Sequence, residues 1–297
     1  MSKLSTGEKV FAVLTHVGLV IVVLIFLIPV VSVISTSLTS GSEFAQRGRL
    51  ILFPRRPVLH AYQMLLGSGS VVLSGLRNSV MRVSIGTGLN LLFTFPLAYV
   101  LARRKLYGRN AITTFIFITM LFSGGLVPNF ILVERLGLID SVWALILPSL
   151  INPWWMLIMR NFIMGSIPDE LEEAAIVDGA NPPQILLKII LPLSMPIIAT
   201  IGLWYAVFHW NAWFDALIYI NTPAHMPLQP ILRNILEYGA GTYTEYQNLA
   251  EMDFAEPPPS ETLRAAMIVV TTLPIVMVYP FIQKYFVKGV MVGGIKG

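Results

Sequence analysis

The 297-residue chain contains no cysteine. Disulfides, thiolate-held zinc, iron–sulfur clusters and thiol catalysis are therefore excluded. Histidine is scarce too. His16, His60, His209 and His225 are the only four, and no two stand at the helical spacing of a metal pair. No metal site and no resident cofactor are expected. Charge is the third shortage: charged residues make up 12% of the chain, against roughly 25% in an ordinary soluble domain. The sequence also lacks a GxxxxGK[ST] phosphate loop, a histidine–glutamate metal motif and a GxSxG nucleophile. An enzyme would need a paired catalytic constellation, and none is present.

What the chain has instead is apolar sequence. Hydrophobic residues reach 55%, and the mean hydropathy is +0.72. No soluble core of this length needs so much, but lipid does. The net charge is +4. Its basic residues sit in short clusters between apolar runs, as membrane topology requires, so nucleic acid is not an expected partner.

At 1.5 Å of rise per residue, about 20 residues cross the hydrocarbon. Six apolar stretches meet that length, at about 11–36, 71–102, 110–133, 141–164, 185–220 and 263–286. The expectation is an all-α polytopic membrane protein: six transmembrane helices in one domain, 1–297. The first run is longer than the roughly 7–15 apolar residues of a cleaved signal peptide, so it is read as a retained helix. Pro29, Pro96, Pro148, Pro196 and Pro274 fall within spans, where neighbouring helices can satisfy the carbonyls that proline frees.

Lysine and arginine set the orientation. With both termini in the cytoplasm, the inside holds Lys3, Lys9, Arg103, Arg104, Lys105, Arg109, Lys188, Lys284, Lys288 and Lys296. The outside holds Arg47, Arg49, Arg55, Arg56, Arg135, Arg233 and Arg264. The bias is modest; the clusters at the span ends, Arg103–Arg109 and Lys284/Lys288, decide it. Two polar stretches remain: a cytoplasmic one at 165–184 and an outer one at 221–261. The outer one carries an acidic run, Glu245, Glu251, Asp253 and Glu256, ending in Pro257-Pro258-Pro259.

The cytoplasmic stretch reads as a short amphipathic helix between two spans. Ser166 with Asp169 three residues on is a helix-start pattern, and Pro168 suits a first turn. Asp169, Glu170, Glu172 and Glu173 lie near the positive end of its dipole. Asp178-Gly179 closes it, and Asn181-Pro182-Pro183 turns the chain.

Glu173-Ala174-Ala175, Asp178-Gly179-Ala180, Leu191-Pro192 and Pro196 resemble the EAA motif of binding-protein-dependent ABC importer permeases. Ser123-Gly124-Gly125-Leu126-Val127-Pro128 and His209-Trp210-Asn211-Ala212-Trp213-Phe214-Asp215 are similar to signatures of the subgroup that imports oligosaccharides from degraded polysaccharides. The tail from Tyr285 to Gly289, ending near Lys296-Gly297, is typical of sugar permeases related to the maltose-importer subunit MalG. The resemblance covers essentially the whole chain. It implies that the short helix, about 167–179, is a coupling helix seated in a cleft of an ATP-binding subunit. Glu173 and Asp178 would be its polar anchors, Ala174 and Ala175 its close-packing face, and Gly179 its bend, with Pro192 in the motif's downstream part. It also implies a bacterial cytoplasmic membrane location, a second and different permease subunit, two copies of the ATPase and an extracytoplasmic solute-binding protein.

Polar and aromatic groups inside spans are candidates for a substrate path. Trp204, Phe208, Asn211 and Asp215 share one stripe of a 3.6-residue helix. Aromatic faces stack on sugar rings, and amides or carboxylates bond hydroxyls. An interfacial aromatic belt is the competing reading for Trp204 and Phe208. Asn78 and Arg82 share a face of the second span. Arg82 is expected to pair with an acidic group in a partner subunit; an acidic sugar such as a uronate is the other candidate. Gly124 and Gly125 before Pro128 read as a broken helix end near the path. The rival to a permease subunit is a stand-alone ion-coupled carrier. That architecture favours inverted repeats and several buried carboxylates, whereas Asp215 is the only plausible buried one here.

Overall fold

The computed structural model describes residues 5–48, 50–67, 69–238 and 260–293. The acidic run of the outer segment, its three prolines, Lys3 and Lys296 lie outside the described residues. Every regular element among the described residues is helical. Two compact units form, one from 1–73 and 232–274, the other from 74–231 and 275–297.

In the first unit, helix α1 spans Thr6–Ser37. Ser5 opens it with a capping box: its hydroxyl accepts from the Glu8 N–H at 3.3 Å, and the Glu8 carboxylate accepts from the Ser5 N–H at 2.6 Å. The helix is apolar on all sides. From Val10 to Val30 its large side chains stand exposed, and burial begins only at Ser32, Ser35, Thr36 and Ser37. A helix apolar all round belongs in lipid or against another membrane helix. Past it, α2 (Gly41–Arg47) and α3 (His60–Leu66) fold back on polar contacts. Ser37 meets the Tyr62 hydroxyl at 2.6 Å, and Ser35 donates to the Leu52 carbonyl at 2.5 Å. Glu43 accepts from Arg47 at 2.6 Å and from the Arg55 N–H at 2.9 Å. The Arg55 N–H foremost holds the Glu43 carboxyl below its ordinary pKa.

The second unit takes most of α4 (Val71–Ala102), followed by α5 (Arg109–Leu121) and α6 (Leu126–Arg135). Next come α7 (Val142–Ile146) with a 3-10 turn at Leu147–Ser149, α8 (Pro153–Ser166) and α9 (Asp169–Val177). Helix α10 runs Pro182–Leu193 with a π-helical turn at Leu186–Ile190. Then follow α11 (Met195–Asn211) and α12 (Phe214–Tyr219). Helices α13 (Leu228–Tyr238) and α14 (Ser260–Gly293) divide between the two units. The core of the second unit joins α4, α8 and α11 through Ala98, Leu101, Met156, Met159, Ile201 and Tyr205.

Three spans expected as single rods are broken. Helices α1 and α4, and the segment Glu261–Val278 of α14, are each long and apolar enough to cross a membrane; three bent pairs bring the number to six if each pair is one span. The expected span 110–133 is α5 and α6, bent by 112°. Gly125, at φ 85, turns the chain there in the left-handed region where a side chain would be strained. At about 1.5 Å per residue, α5 is roughly 20 Å long and cannot cross a full hydrocarbon core alone. The expected span 141–164 bends by 50°, where Asn152 caps α8 with Pro153 at its first position. The expected span 185–220 begins as α10, bends by 80° at Ser194 and breaks again at Ala212 and Trp213.

Buried polar bonds lock the second unit. Asn90, fully buried in α4, donates to the carbonyls of Ser149 at 2.8 Å and Leu150 at 2.7 Å. Its amide oxygen lies 2.6 Å from the His209 Nε2 on α11. The Tyr205 hydroxyl meets Thr94 at 2.9 Å and accepts from the Asn152 N–H at 2.9 Å. The close approach of α11 to α4 depends on Gly86, where an added Cβ would stand 2.5 Å from the His209 Nε2. Gly86→Ala should therefore destabilise the protein by about 1–3 kcal/mol, because the imidazole is tied and cannot step aside. Gly88, two residues on, has nothing within 4 Å, and Gly88→Ala should be neutral or stabilising. Thermal unfolding of both variants in detergent checks the contrast.

Candidate functional site

Helix α9 starts at Asp169 with Pro168 as its N-cap and no side-chain cap. Ser166 is not the cap expected from its spacing to Asp169; it closes α8 instead. The other end follows the sequence reading. Gly179 sits at φ 83, its N–H donates to the Ile176 carbonyl at 3.0 Å, and the Ala180 N–H donates to Ala175 at 2.9 Å. This pair of bonds is a complete Schellman closure. Two residues later Asn181 caps α10 in a capping box with Gln184, with Pro182 at the first helical position. The link between α9 and α10 is therefore short and fixed.

Three ion pairs bind α9 to the segment that follows α4. Arg103 donates through Nε to Glu172 at 2.8 Å and through Nη2 to the same carboxylate oxygen. Lys105 reaches Glu173 at 2.9 Å, and Arg104 approaches Asp169 at 3.8 Å. The Lys105–Glu173 hydrogen bond raises the lysine pKa and lowers that of the carboxylate. Both groups are well exposed, so water screens much of their attraction. Arg103 also lies over the Tyr99 ring at 5.1 Å.

The two alanines of the motif do not form one face. Ala175 is buried in the core of this chain, whereas Ala174 is exposed. Successive helical positions are separated by about 100°, so neighbouring residues must diverge. The outward face carries Glu170, Glu173, Ala174 and Val177, the last 86% exposed. Asp178, Gly179 and Pro192 are exposed as well.

Arg82 finds its partner inside this chain rather than in another subunit. Its Nη1 lies 3.2 Å from Asp215 Oδ1, and Nη2 bonds Asp215 Oδ2. The same guanidinium donates to the carbonyls of Ala212 at 3.4 Å and Leu145 at 3.3 Å. It thus staples the break between α11 and α12 to α4 and α7. Arg82 is fully buried, so it is not open to an acidic ligand. Asn78 is also engaged: it donates to the carbonyls of Ala224 at 2.8 Å and Met226 at 3.1 Å. Nearby, Asp140 at φ 61 accepts from the Asn221 and Thr222 N–H groups at 3.0 and 2.9 Å and from the Thr222 hydroxyl at 2.5 Å. These bonds, the Thr222 hydroxyl's above all, lower its pKa to about 2.

The expected stripe breaks at Ala212, so Asp215 leaves it for α12. The remaining members find company that the stripe alone does not specify. Trp155 of α8 packs against Trp204 with centroids 6.2 Å apart, Tyr205 at 4.5 Å and Phe208 at 6.1 Å. The place of Trp155 beside Trp204 depends on a tertiary contact that no local pattern specifies. Trp204 is half-buried and Phe208 and Asn211 are exposed. Asn211 donates to the Val207 carbonyl at 3.0 Å. Gly124 and Gly125 lie exposed at the α5–α6 bend, where a Cβ added at Gly124 would meet only Pro128 within 4 Å and one added at Gly125 would meet nothing.

Residues 94–292 match the binding-protein-dependent transport system inner membrane component. The chain belongs to this family. It is a multi-pass permease component of an ATP-driven importer, and ATP hydrolysis resides in a separate subunit. It is 41% identical over 290 residues to the polygalacturonan/rhamnogalacturonan transport system permease protein YtcP of Bacillus subtilis (strain 168), covering 98% of this chain and 99% of that one. It is 28% identical over 277 residues to the arabinooligosaccharides transport system permease protein AraQ of the same organism, covering 92% of each. Its fold is similar, with a TM-score of 0.85 and 31% identity, to the crystal structure of a bacterial ABC transporter involved in the import of the acidic polysaccharide alginate. That likeness covers 96% of this chain and 100% of the other.

The Arg82–Asp215 pair makes an asymmetric prediction. Asp215→Ala strands a fully buried cation and should cost about 3–5 kcal/mol in stability. Arg82→Met leaves a carboxylate that is 29% exposed and should cost less. Unfolding midpoints of the two purified variants, read side by side, give the order.

Proposed function

We propose that this permease imports an oligosaccharide, that α9 is its coupling helix, and that the aromatic group around Trp204 lines part of the sugar path. The carrying observation is α9 itself. It is short, closed at its C-terminal end by a full Schellman motif, tied to 103–105 by ion pairs and exposed on its outer face. Such a helix passes a displacement to the helices that hold it without deforming. Glu173, Ala174, Asp178 and Gly179 offer the surface that an ATPase cleft would meet. Ala175 contributes by seating the helix on its own bundle, and Pro192 lies in α10, to which any displacement passes next.

The names of the relatives support carbohydrate as the substrate class. Trp155, Trp204 and Phe208 would stack on sugar rings, and the Asn211 amide would bond a hydroxyl. Asp215 would act through Arg82, as a staple and not as a ligand. Asn78 would position the Thr222–Met226 turn, and Gly124 and Gly125 would shape the α5–α6 bend. A second permease subunit completes the path, two ATPase copies dock on the α9 side, and a solute-binding protein delivers sugar from the opposite side. Both termini then lie in the cytoplasm. The common side of Arg103–Lys105 and α9, which their ion pairs enforce, supports that orientation.

Glu173→Lys replaces the Lys105 pair with repulsion. In the reconstituted transporter it should release the ATPase, or leave ATP hydrolysis no longer stimulated by loaded binding protein. Coupled transport at the wild-type rate in this variant defeats the assignment of α9. Asn211→Ala should lower uptake several-fold while the complex assembles normally, as measured by radiolabelled oligosaccharide uptake and size-exclusion profile. Unchanged uptake removes Asn211 from the path.

A further inference from the structure

The ion pairs on α9 do not use all the positive charge beside it. Arg103, Arg104 and Lys105 each face one carboxylate, those of Glu172, Asp169 and Glu173. Two further arginines adjoin this group. Arg160 donates to the Leu101 carbonyl at 2.9 Å, in the last turn of α4, and it lies within electrostatic range of Arg109. Among the described residues neither Arg109 nor Arg160 has a carboxylate partner, although both are half-buried. Half-buried like charges repel each other more strongly than in free solution, and an anion between them relieves that cost.

Beside Arg109, on a side that Arg160 does not line, there is space for an anion. An open cavity of about 540 Å³ is lined by Arg104, Leu106, Arg109, Asn110, Ala111 and Met164. Leu106, Ala111 and Met164 give the lining an apolar share beside the two arginines. The first turn of α5 opens at this cavity without a side-chain cap, so its peptide dipoles add to the positive potential. The cavity lies where α4 ends and α5 begins, which the orientation proposed above puts at the cytoplasmic end of two spans, the level of lipid headgroups. A cationic, half-apolar pocket at that depth suits a phosphate carried on a glycerol backbone better than a free ion, which needs no apolar lining.

We propose that this cavity binds the phosphate of an anionic phospholipid headgroup, with Arg109 as its principal contact and Arg104 as a second. The site is distinct from the outward face of α9 and from the aromatic group near Trp204, although Arg104 also approaches Asp169 of α9 at 3.8 Å. It ties the α4–α5 corner to the membrane surface, next to the segment that anchors α9. Basic pockets of this kind recognise anionic lipids through charge at close range.

The test uses the complete transporter, purified in mild detergent and examined by native mass spectrometry after addition of phosphatidylglycerol or phosphatidylcholine. Wild type should retain one more phosphatidylglycerol than Arg109→Gln, with about fivefold lower occupancy in the variant. Arg109→Lys should keep most of the binding, and Arg233→Gln, an arginine far along the chain, should change nothing. Equal phosphatidylglycerol retention by wild type and Arg109→Gln overturns the proposal, as does equal retention of phosphatidylcholine by wild type. Displacement of the lipid by millimolar inorganic phosphate would show that the pocket takes the free ion, and would overturn the lipid assignment. Loss of the ATPase from Arg109→Gln with lipid retention intact would assign the surface to a protein partner and overturn it equally. If Arg109→Gln fails to assemble, the Arg109→Lys and phosphate arms on assembled protein still decide.

Discussion

A single buried amide governs the second unit. Asn90 sits on α4 with no exposure and joins two other parts of the chain at once: the carbonyls of Ser149 and Leu150 ahead of α8, and His209 on α11. In lipid, apolar side chains gain little by choosing one apolar neighbour over another. Polar bonds and close packing must therefore set which helix faces which, and in what register. The carbonyls that Asn90 satisfies are those freed where the α7–α8 pair bends, so the same amide that fixes register makes the bend tolerable. Tyr205 repeats the arrangement one turn away, with Thr94 on α4 and the Asn152 N–H at the start of α8.

Charge is distributed in two regimes that follow from solvent access. In the Arg82–Asp215 pair the cation is buried and the carboxylate only partly so, and the pair's value lies in holding a broken helix against its neighbours, since a pair with a buried member gains little net stability from attraction alone. On α9 the Arg104 and Lys105 pairs are open to water and weak singly, while the Arg103–Glu172 pair is half-buried. Acting together they set the direction in which α9 points, while its outward face stays free. One pair shapes the interior; the other three orient a surface.

Much of this was legible in the residues, and the failures have physical causes. The bounds of α4 follow directly from a long apolar run closed by Arg103-Arg104-Lys105. The end of α9 follows from Asp178-Gly179, because the left-handed position there favours glycine. The Ser123-Gly124-Gly125 break was visible, but its 112° angle was not, since a glycine permits a turn without fixing its size. Ser166 has the spacing of a cap, yet the preceding helix claims it. Arg82 and Asp215 lie 133 positions apart, and no local pattern links residues at that distance. Treating 185–220 as one helix placed Asp215 on the aromatic stripe; the break at Ala212 carries it to Arg82 instead. The family and its transport role were readable from the spaced motif around Glu173, while the packing of Trp155 on Trp204 was not.

The 80° bend at Ser194 turns α10 into a lever arm. From Pro182 to Leu193 it extends roughly 18 Å at the usual helical rise. A swing of about 10° about the bend carries its Pro182 end roughly 3 Å, close to two residues of helical rise. Ser194 is buried and its hydroxyl has no partner among the described residues, so no side-chain bond seen at the pivot must break in such a swing. The residues nearest the fulcrum barely move while those next to α9 travel furthest. Small rotations of the bundle and larger strokes at its edge are therefore geared to one another by the length of a single helix.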